Sequence, residues 1–454
     1  MMKERGTYKE KKRIAFFSSF GEKGKGVNNL RPRFYQNCDC REGILRRGIG
    51  LKKYLDENGK EITLSMENNG AALHTFLVMS RNNMNGKDTP AVYVIGLDGY
   101  AYLRNSNGIG GKKVYMGSYV SHCAMRGEDK VLFNFFSGGK GTYVTEDGTT
   151  FKNIFTEPLL GGCVCNRRFV ALSQGGEVYY TAALAPYDED DASIDGRGIL
   201  FAPTDCGLPL NIKEYDGNAY LFFEKGIYKV TLSASARESR VEKIPYYGGT
   251  LCGKAQATTK DGIIFLAREG LYYLRKDKVE RICDHLPIGE CVPSKSSAVG
   301  HCDDLVIFSY YKVEGEGTEM KRLVVYADGE DGYFTEAYGP LGGNEYAFVK
   351  GTVYRYAKDS EGVVHDKDST FTSEWLDFGT AKRKRLKTLT LKGEGSMQVT
   401  VQCDDRRERK YTLRFQDGVA KARLFDKGKK FSFAFSLASE AIVEGMEVEY
   451  LTEG

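Results

Sequence analysis

The segment Ile263-Ile-Phe-Leu-Ala-Arg-Glu-Gly270-Leu-Tyr-Tyr-Leu274 decides the fold class of this chain. An apolar run leads into a short turn that contains glycine, and a second run rich in tyrosine follows. Aromatic and β-branched residues favour strands, and glycine supplies the positive φ that tight hairpin turns need. The segment therefore predicts a β-hairpin.

The same sequence pattern recurs through the middle of the chain. Its copies begin at residues 92, 131, 169, 220, 263, 305 and 346, so the steps are 39, 38, 51, 43, 42 and 41 residues. A period near 40 residues with several short strands in each unit is typical of propeller blades. We predict a six- or seven-bladed β-propeller-like domain over residues 27–370, and a β-sandwich of regular hairpins is the alternative.

The two ends of the chain differ from this repeat. Residues 1–26 are predicted to form a basic N-terminal arm, and the strands that follow are predicted to close the ring and remove its exposed edge. Residues 371–454 alternate strictly between apolar and polar positions, which indicates strands with one buried face. We therefore predict an all-β chain that ends in a small C-terminal β-sandwich-like domain.

Composition limits the possible functions. The chain has 454 residues and a net charge of +4, so any nucleic-acid contact must be local rather than spread over the whole surface. No run of 18 apolar residues occurs, and the short apolar run at 14–17 is too short for a signal-peptide core. We therefore expect neither a membrane span nor a standard secretion signal.

Cysteine, histidine and acidic residues give no pattern of a metal or catalytic site. The eleven cysteines include the pairs Cys38-x-Cys40 and Cys163-x-Cys165, which lack the C-x-x-C spacing of zinc and redox sites. We expect reduced structural thiols, no cofactor, no metal and no catalytic residue. The acidic segment 188–196 lies in the longest repeat step and predicts an exposed loop, with calcium binding as the alternative.

Two basic clusters are the candidate contact sites. A solvated strand edge, protected by charge against aggregation, is one interpretation of both clusters, and contact with DNA phosphates or an acidic partner is the alternative. The candidate residues are Lys11, Lys12, Arg13, Lys382, Arg383, Lys384 and Arg385.

Three sequence motifs carry a resemblance to a known family. They are Phe34-Tyr-Gln-Asn-Cys-Asp-Cys-Arg-Glu-Gly-Ile-Leu-Arg-Arg-Gly48, the paired hairpins at 208–228 and 262–272, and Ser373-Glu-Trp-Leu-Asp-Phe-Gly379 followed by Lys384-Arg385-Leu386. This arrangement resembles the propeller proteins of phage tails and head–tail junctions. These include the packaged-DNA stabilisation proteins and the tail tubular "nozzle" proteins of short-tailed phages.

The resemblance implies a mechanical function without enzymatic turnover. It implies a homo-oligomeric ring, with a hexamer favoured, that meets the portal or adaptor and other tail proteins. Packaged double-stranded DNA would pass through the lumen, and the protein would be part of a virion assembled in the host bacterial cytoplasm. Two alternatives remain open, namely a distal-tail or host-recognition propeller that binds surface glycans, and a propeller glycosidase or lyase.

Overall fold

The computed structural model describes residues 8–16, 29–30, 32–56, 59–64, 72–81, 86–96, 98–105, 112–117, 120–185, 198–203, 205–233, 238–284, 286–294, 297–335, 346–349, 351–358, 363–364, 369–404, 407–438 and 440–453. Strands form nearly all the regular structure of these residues. The acidic segment 188–196 lies outside them. No helix in the described ranges is long and apolar enough to cross a membrane.

The described residues of the N-terminal segment form six strands and one 3₁₀ turn (Arg41–Gly43). The strands are β1 (Tyr8–Phe16), β2 (Asn29–Leu30), β3 (Pro32–Gln36), β4 (Cys38–Asp39), β5 (Leu45–Arg47) and β6 (Gly50–Lys53).

Six sheets follow, each built from strands that are consecutive in the chain. Blade one contains β7 (Ala72–Arg81), β8 (Asp88–Gly96), β9 (Tyr100–Asn105) and β10 (Lys112–Tyr115); blade two contains β11 (Val120–Arg126), β12 (Leu132–Gly138), β13 (Gly141–Thr145) and β14 (Lys152–Phe155). Blade three contains β15 (Leu159–Cys165), β16 (Arg168–Ser173), β17 (Glu177–Tyr180) and β18 (Gly198–Phe201); blade four contains β19 (Pro209–Tyr215), β20 (Asn218–Phe223), β21 (Gly226–Thr231) and β22 (Arg240–Lys243). Blade five contains β23 (Gln256–Thr259), β24 (Gly262–Ala267), β25 (Gly270–Arg275) and β26 (Lys278–Ile282). Blade six contains β27 (Cys291–Val292), β28 (Ala298–Cys302), β29 (Leu305–Glu314), β30 (Gly317–Tyr326) and β31 (Gly332–Thr335).

The apolar runs of the repeat are buried between neighbouring blades. Strands β16 and β24 are buried along their whole length, because each lies in the middle of a sheet with a neighbouring blade on either side. Aromatic rings join adjacent blades, as where Phe135 of blade two stacks on Phe169 of blade three with a centroid distance of 4.4 Å. Burial of such rings stabilises the ring of blades.

A strand from the N-terminal segment completes the seventh blade. This sheet contains β32 (Tyr346–Val349), β33 (Thr352–Ala357), β6 and β34 (Val363–Val364), and β6 pairs with both β33 and β34. Strand β32 lies against β7 of blade one, so blades seven and one are neighbours. The described residues therefore form seven blades, and the ring is closed by pairing between distant parts of the chain, which removes an exposed edge.

The C-terminal part is a β-sandwich. Its strands are β35 (Ser369–Ser373), β36 (Lys384–Glu394), β37 (Ser396–Cys403), β38 (Arg407–Arg414), β39 (Val419–Arg423), β40 (Lys427–Gly428), β41 (Phe431–Leu437) and β42 (Ile442–Thr452). One sheet has the order β2-β1-β42-β36-β39, with β4, β5 and β40 at its margins, and the other has the order β3-β35-β41-β37-β38. The inward residues of both sheets, such as Leu389, Val399, Phe433 and Val448, form a single core.

The N-terminal segment contributes strands to the sandwich as well as to the propeller. Strand β1 pairs with β42, and β3 pairs with β35, so residues predicted to form an arm or to belong to the propeller complete the two sandwich sheets. The physical reason is that an uncovered edge of β42 or β35 would leave backbone donors and acceptors without partners.

The connection between the sandwich strands and β6 is held against blade six. The Asn37 backbone N–H donates to the Phe334 carbonyl over 2.8 Å, and the Thr335 hydroxyl donates to Asn37 Oδ1 over 2.9 Å. The Ile49 backbone N–H donates to the Tyr333 hydroxyl over 3.1 Å. Propeller and sandwich are therefore joined by buried hydrogen bonds and not by the chain alone.

Candidate functional site

The structure brings the two predicted basic clusters into one sheet of the sandwich. Strand β1 carries Lys11, Lys12 and Arg13 and pairs with one edge of β42, with Lys11 opposite Glu449. Strand β36 pairs with the other edge of β42, with Arg385 opposite Leu451. Because neighbouring strands lie about 4.8 Å apart, the backbones of β1 and β36 are about 10 Å apart.

Lys384 is a correction to the predicted contact set. Its side chain is fully buried, and Nζ donates to the Thr380 and Lys382 carbonyls, each over 2.7 Å. Strand alternation places Lys384 on the same face as the buried Leu386, so the ammonium turns inward and satisfies carbonyls of the preceding turn. This lysine is therefore unavailable to an external partner.

The other three residues of this cluster lie at the surface. Lys382, Arg383 and Arg385 are exposed. The Arg383 carbonyl accepts a hydrogen bond of 2.8 Å from the Glu453 backbone N–H, which fixes the loop to the end of β42. The loop thus presents these cations from a defined position.

Three basic residues that the sequence analysis missed extend this surface. Lys387, Lys421 and Arg423 line a shallow cavity of about 530 Å³, called the basic groove below. The complete lining is Lys387, Thr388, Lys421, Ala422, Arg423, Glu449 and Leu451. The alternation of Val419-Ala-Lys-Ala-Arg423 is the signal that could have found two of them, because it places both cations on the outer face of β39.

Register explains how distant residues meet in the basic groove. Arg423 of β39 lies opposite Thr388 of β36, and Thr388 lies opposite Glu449 of β42. A register shift between Leu386 and Thr388 inserts Lys387 as an extra residue on β36. Such a bulge re-aims a side chain, and here it adds a cation to the outer face of the sheet.

The groove has an excess of positive charge. Four cations at the groove form no ion pair with the described residues, namely Arg385, Lys387, Lys421 and Arg423. Glu449 is the one carboxylate among the residues that line the groove. The Arg423 guanidinium also lies 5.5 Å from the Phe425 ring centroid. Cations on a flat, exposed sheet face suit a partner with phosphate or carboxylate groups, and their contacts are screened by salt.

The cysteines lie mostly inside the protein. All eleven are free thiols, and Cys163 and Cys165 share one hydrophobic cluster, as residues two apart on a strand should. Burial raises the pKa of Cys302 to about 12. The described residues contain no group of three or more histidine, cysteine, aspartate or glutamate residues arranged to hold a metal ion.

Neither the family models nor the curated sequences gave a match. Among solved structures, the chain is similar to BBS1N in complex with ARL6DN, with a TM-score of 0.40 and 8% identity over 70% of this chain and 99% of that one.

Two further solved structures are similar in the same way. Sqt1 of Chaetomium thermophilum, bound to the N-terminus of ribosomal protein L10, has a TM-score of 0.37 and 12% identity over 62% of this chain and 83% of that one. BamB of Moraxella catarrhalis has a TM-score of 0.33 and 7% identity over 63% of this chain and 99% of that one. The propeller assignment follows from the seven sheets themselves, and these likenesses concern fold alone.

Proposed function

We propose that this chain is a structural protein of a bacteriophage tail or head–tail junction. In this proposal several copies, with six favoured, form a ring that meets the portal or adaptor, retains packaged double-stranded DNA and conducts it during ejection. The observation that carries the proposal is the basic groove, a set of cations without ion-pair partners among the described residues. The groove lies on the sandwich, which is joined to the propeller by buried hydrogen bonds.

The rigidity of the joint supports a mechanical role. The Arg41 guanidinium forms an ion pair of 2.5 Å with Asp328 of blade six and lies 4.1 Å from the Tyr326 ring centroid. A second ion pair, of 2.7 Å, joins Arg46 to Asp39 within the connection. A closed propeller fixed to a sandwich is a block with few free edges, which suits stacking in a symmetric ring.

Two of the three sequence motifs that carry the family resemblance, at 34–48 and 373–386, lie where the two parts meet. The Arg33 guanidinium of β3 lies 5.7 Å from the Trp375 ring centroid, at the entry to the sandwich. Phe378 stacks on Tyr450 at 5.0 Å, and the Gly379 backbone N–H donates to Asp377 Oδ1 over 2.8 Å. These residues build the sandwich entry, so the resemblance rests on positions with a structural role in this chain.

The charge distribution is compatible with a passage for DNA. A net charge of +4 leaves any contact with phosphates to local patches such as the basic groove. A few exposed cations give weak, sequence-independent and salt-dependent contacts. Weak contacts suit a conduit, because tight binding to many phosphates would slow the movement of DNA.

Imaging of virions tests this proposal. Particles of the phage whose genome carries the gene would be labelled with an antibody against the chain and viewed by electron microscopy, with an antibody against the capsid protein as the control. We expect label on the tail axis or the head–tail junction, and averaging should show a symmetric ring there. Label that is absent from purified particles, or confined to the capsid, contradicts the proposal.

A further inference from the structure

The basic groove lacks a balancing negative charge in the part of the chain that the structure describes. Lys421 and Arg423 are exposed on β39, the last strand of its sheet, and Lys387 joins them from β36. None of the three forms an ion pair with a described residue, and Glu449 is the one carboxylate that lines the groove. Such a surface favours a partner that carries several negative charges close together.

The chain itself carries a segment of that kind. Residues 188–191 are four consecutive carboxylates, the only such run in the sequence, and Asp195 follows them. The segment 188–196 therefore has five carboxylates and no cation. It lies outside the described residues and is called the acidic segment below. Its charge is opposite to that of the groove, and this complementarity selects it as the occupant.

The strand that follows the acidic segment adds an apolar surface. Strand β18 is the outermost strand of blade three and pairs with β17 alone. Ile199 and Phe201 lie on one side of β18 and are 50% and 71% exposed. The groove has apolar surface of its own, since Leu451 lines it and the exposed ring of Phe425 lies beside the Arg423 guanidinium. Exposed apolar side chains beside complementary charges are typical of surfaces at which proteins meet.

The acidic segment is too short to reach the groove of its own molecule. The 12 residues 186–197 connect Ala185 to Gly198, so the middle of this stretch extends at most about 20 Å from blade three. The sandwich is attached at blade six, three blades away in a ring of seven. Strands lie about 4.8 Å apart, so each rim is roughly 14 Å from its innermost strand, and opposite rims are roughly 30 Å or more apart. Only the acidic segment of another copy can therefore meet the groove.

We infer that the basic groove binds the acidic segment of a second copy of this chain, with Ile199 and Phe201 of that copy against the apolar part of the groove. This inference rests on the proposed function, because it names the surfaces through which copies in the ring meet. Each copy carries the groove on its sandwich and the acidic segment on blade three. The contact is therefore heterologous, the kind that closes into a ring when the rotation between copies permits.

Sedimentation velocity of the full chain without DNA, at concentrations up to about 100 μM, tests the inference. We expect the wild type to self-associate at about 50 mM salt and to dissociate at about 500 mM, where exposed charges are screened. The groove variant, Lys421→Gln with Arg423→Gln, should associate about fivefold to thirtyfold more weakly. The segment variant, Asp190→Asn with Asp191→Asn, should show a similar loss. The control, Lys276→Gln with Lys278→Gln, removes two exposed cations of blade five and should associate like the wild type.

A mixture of the two variants shows whether the contact runs from groove to acidic segment. The groove variant keeps its acidic segment, and the segment variant keeps its groove. An equimolar mixture should therefore form a one-to-one pair with the affinity of the wild-type contact and no larger assembly. A Tm within about 3 °C of the wild-type value shows that each variant is folded.

Three results overturn the inference. They are a wild type that stays monomeric at low salt, a mixture that associates no better than either variant, and a groove that binds duplex DNA but no second copy. None of them decides the proposed function, because antibody label on the tail axis depends on where the chain lies in the virion and not on which surface joins its copies. Conversely, label that is absent from virions contradicts the proposed function even where the chain self-associates through the groove.

Discussion

The propeller and the sandwich are both built from antiparallel strands, but they assemble these strands in different ways. Each of the first six blades uses strands that follow one another in the chain, so nearly all its pairing is local. The sandwich uses both ends of the chain, with β1 beside β42 and β3 beside β35. Strand pairing within a blade therefore produces a repeat that is visible in the sequence, whereas pairing between the two ends of the chain produces none.

A core truncation in each part tests whether the two parts unfold together. Phe433 of the sandwich and Phe265 of the propeller are fully buried, so either change to alanine should lower the free energy of unfolding by about 3–5 kcal/mol. Trp375, the single tryptophan, reports on the sandwich entry, and far-UV circular dichroism reports on all strands. Because buried hydrogen bonds join the parts, both signals should shift together in urea titrations of either variant.

The matched control is Leu208→Ala on the propeller, whose side chain is 64% exposed and should change stability by less than about 0.5 kcal/mol. If Phe265→Ala moves the circular dichroism transition and leaves the tryptophan transition in place, the parts unfold separately. That result would show that the connection through Asn37 and Ile49 does not couple them.

Acid should lower the stability of the protein through two histidines of the propeller. Burial lowers the pKa of His122 and of His301, each to about 4, from an ordinary value near 6.5. Between these values the unfolded chain binds more protons than the folded one, so stability falls as the pH drops from about 6.5 to about 4. The loss is up to about 3 kcal/mol for each histidine, and residues 369–454 contain no histidine.

Urea titrations at a series of pH values check this dependence. The variant His122→Gln keeps a polar side chain beside Asn134, its hydrogen-bond partner at 3.1 Å, and removes the titrating group. Its stability should therefore fall less steeply between pH 6.5 and 4 than that of the wild type. An equal slope in both proteins would contradict the assignment of the acid sensitivity to this histidine.

The joint between the two parts depends on Asn37. This residue has φ 51°, a left-handed conformation that costs most side chains about 1 kcal/mol or more, and its side chain accepts a hydrogen bond from Thr335. Asn37→Ala should lower the free energy of unfolding by about 2 kcal/mol, from strain plus the lost hydrogen bond. Thermal unfolding measures this change.

The variant Asn37→Gly separates the effect of backbone strain from that of the lost side-chain hydrogen bond. Glycine adopts the positive φ without strain, so this variant should lose only the side-chain hydrogen bond, about 1 kcal/mol. Equal losses in the alanine and glycine variants would mean that backbone strain at this position contributes nothing to the joint.

The cations of the basic groove should contribute little to the free energy of unfolding and more to the binding of double-stranded DNA. Changing Lys421 and Arg423 together to glutamine should alter the free energy of unfolding by less than about 0.5 kcal/mol, because both side chains are exposed. The same variant should bind double-stranded DNA more weakly at every sequence, with the slope of log K against log salt reduced by about 1–2. Lys278→Gln on the outermost strand of blade five is the control.

Fluorescence anisotropy with two duplexes of unrelated sequence, over a range of salt concentrations, measures this effect. An unchanged salt slope in the Lys421 and Arg423 variant, or an equal reduction in Lys278→Gln, would place any DNA contact elsewhere on the molecule.

The repeat units could be predicted because each hairpin is specified within about a dozen residues. The apolar run at 263–267 became β24, and the glycine turn at 270 joined it to β25. The alternation at 389–392 became part of β36, with its inward residues Leu389 and Leu391 in the sandwich core. In both cases side-chain period and turn chemistry act locally, so sequence pattern alone determines the strand and its buried face.

The candidate surfaces could be predicted only in part. A run of basic residues was visible at 382–385, but the inward turn of Lys384 depends on which face of β36 is buried. Lys387 joins the basic groove through a register shift, and Arg423 joins it through pairing of β39 with β36.

The sequence by itself determined that this chain is a propeller of hairpin repeats followed by a small β domain. It did so because alternation, aromatic content and glycine turns act between residues close in the chain. Only the tertiary structure decided that β6 closes the seventh blade, that β1 and β3 complete the sandwich, and which cations share a face. These outcomes depend on pairing and register between distant strands, which no local pattern of residues encodes.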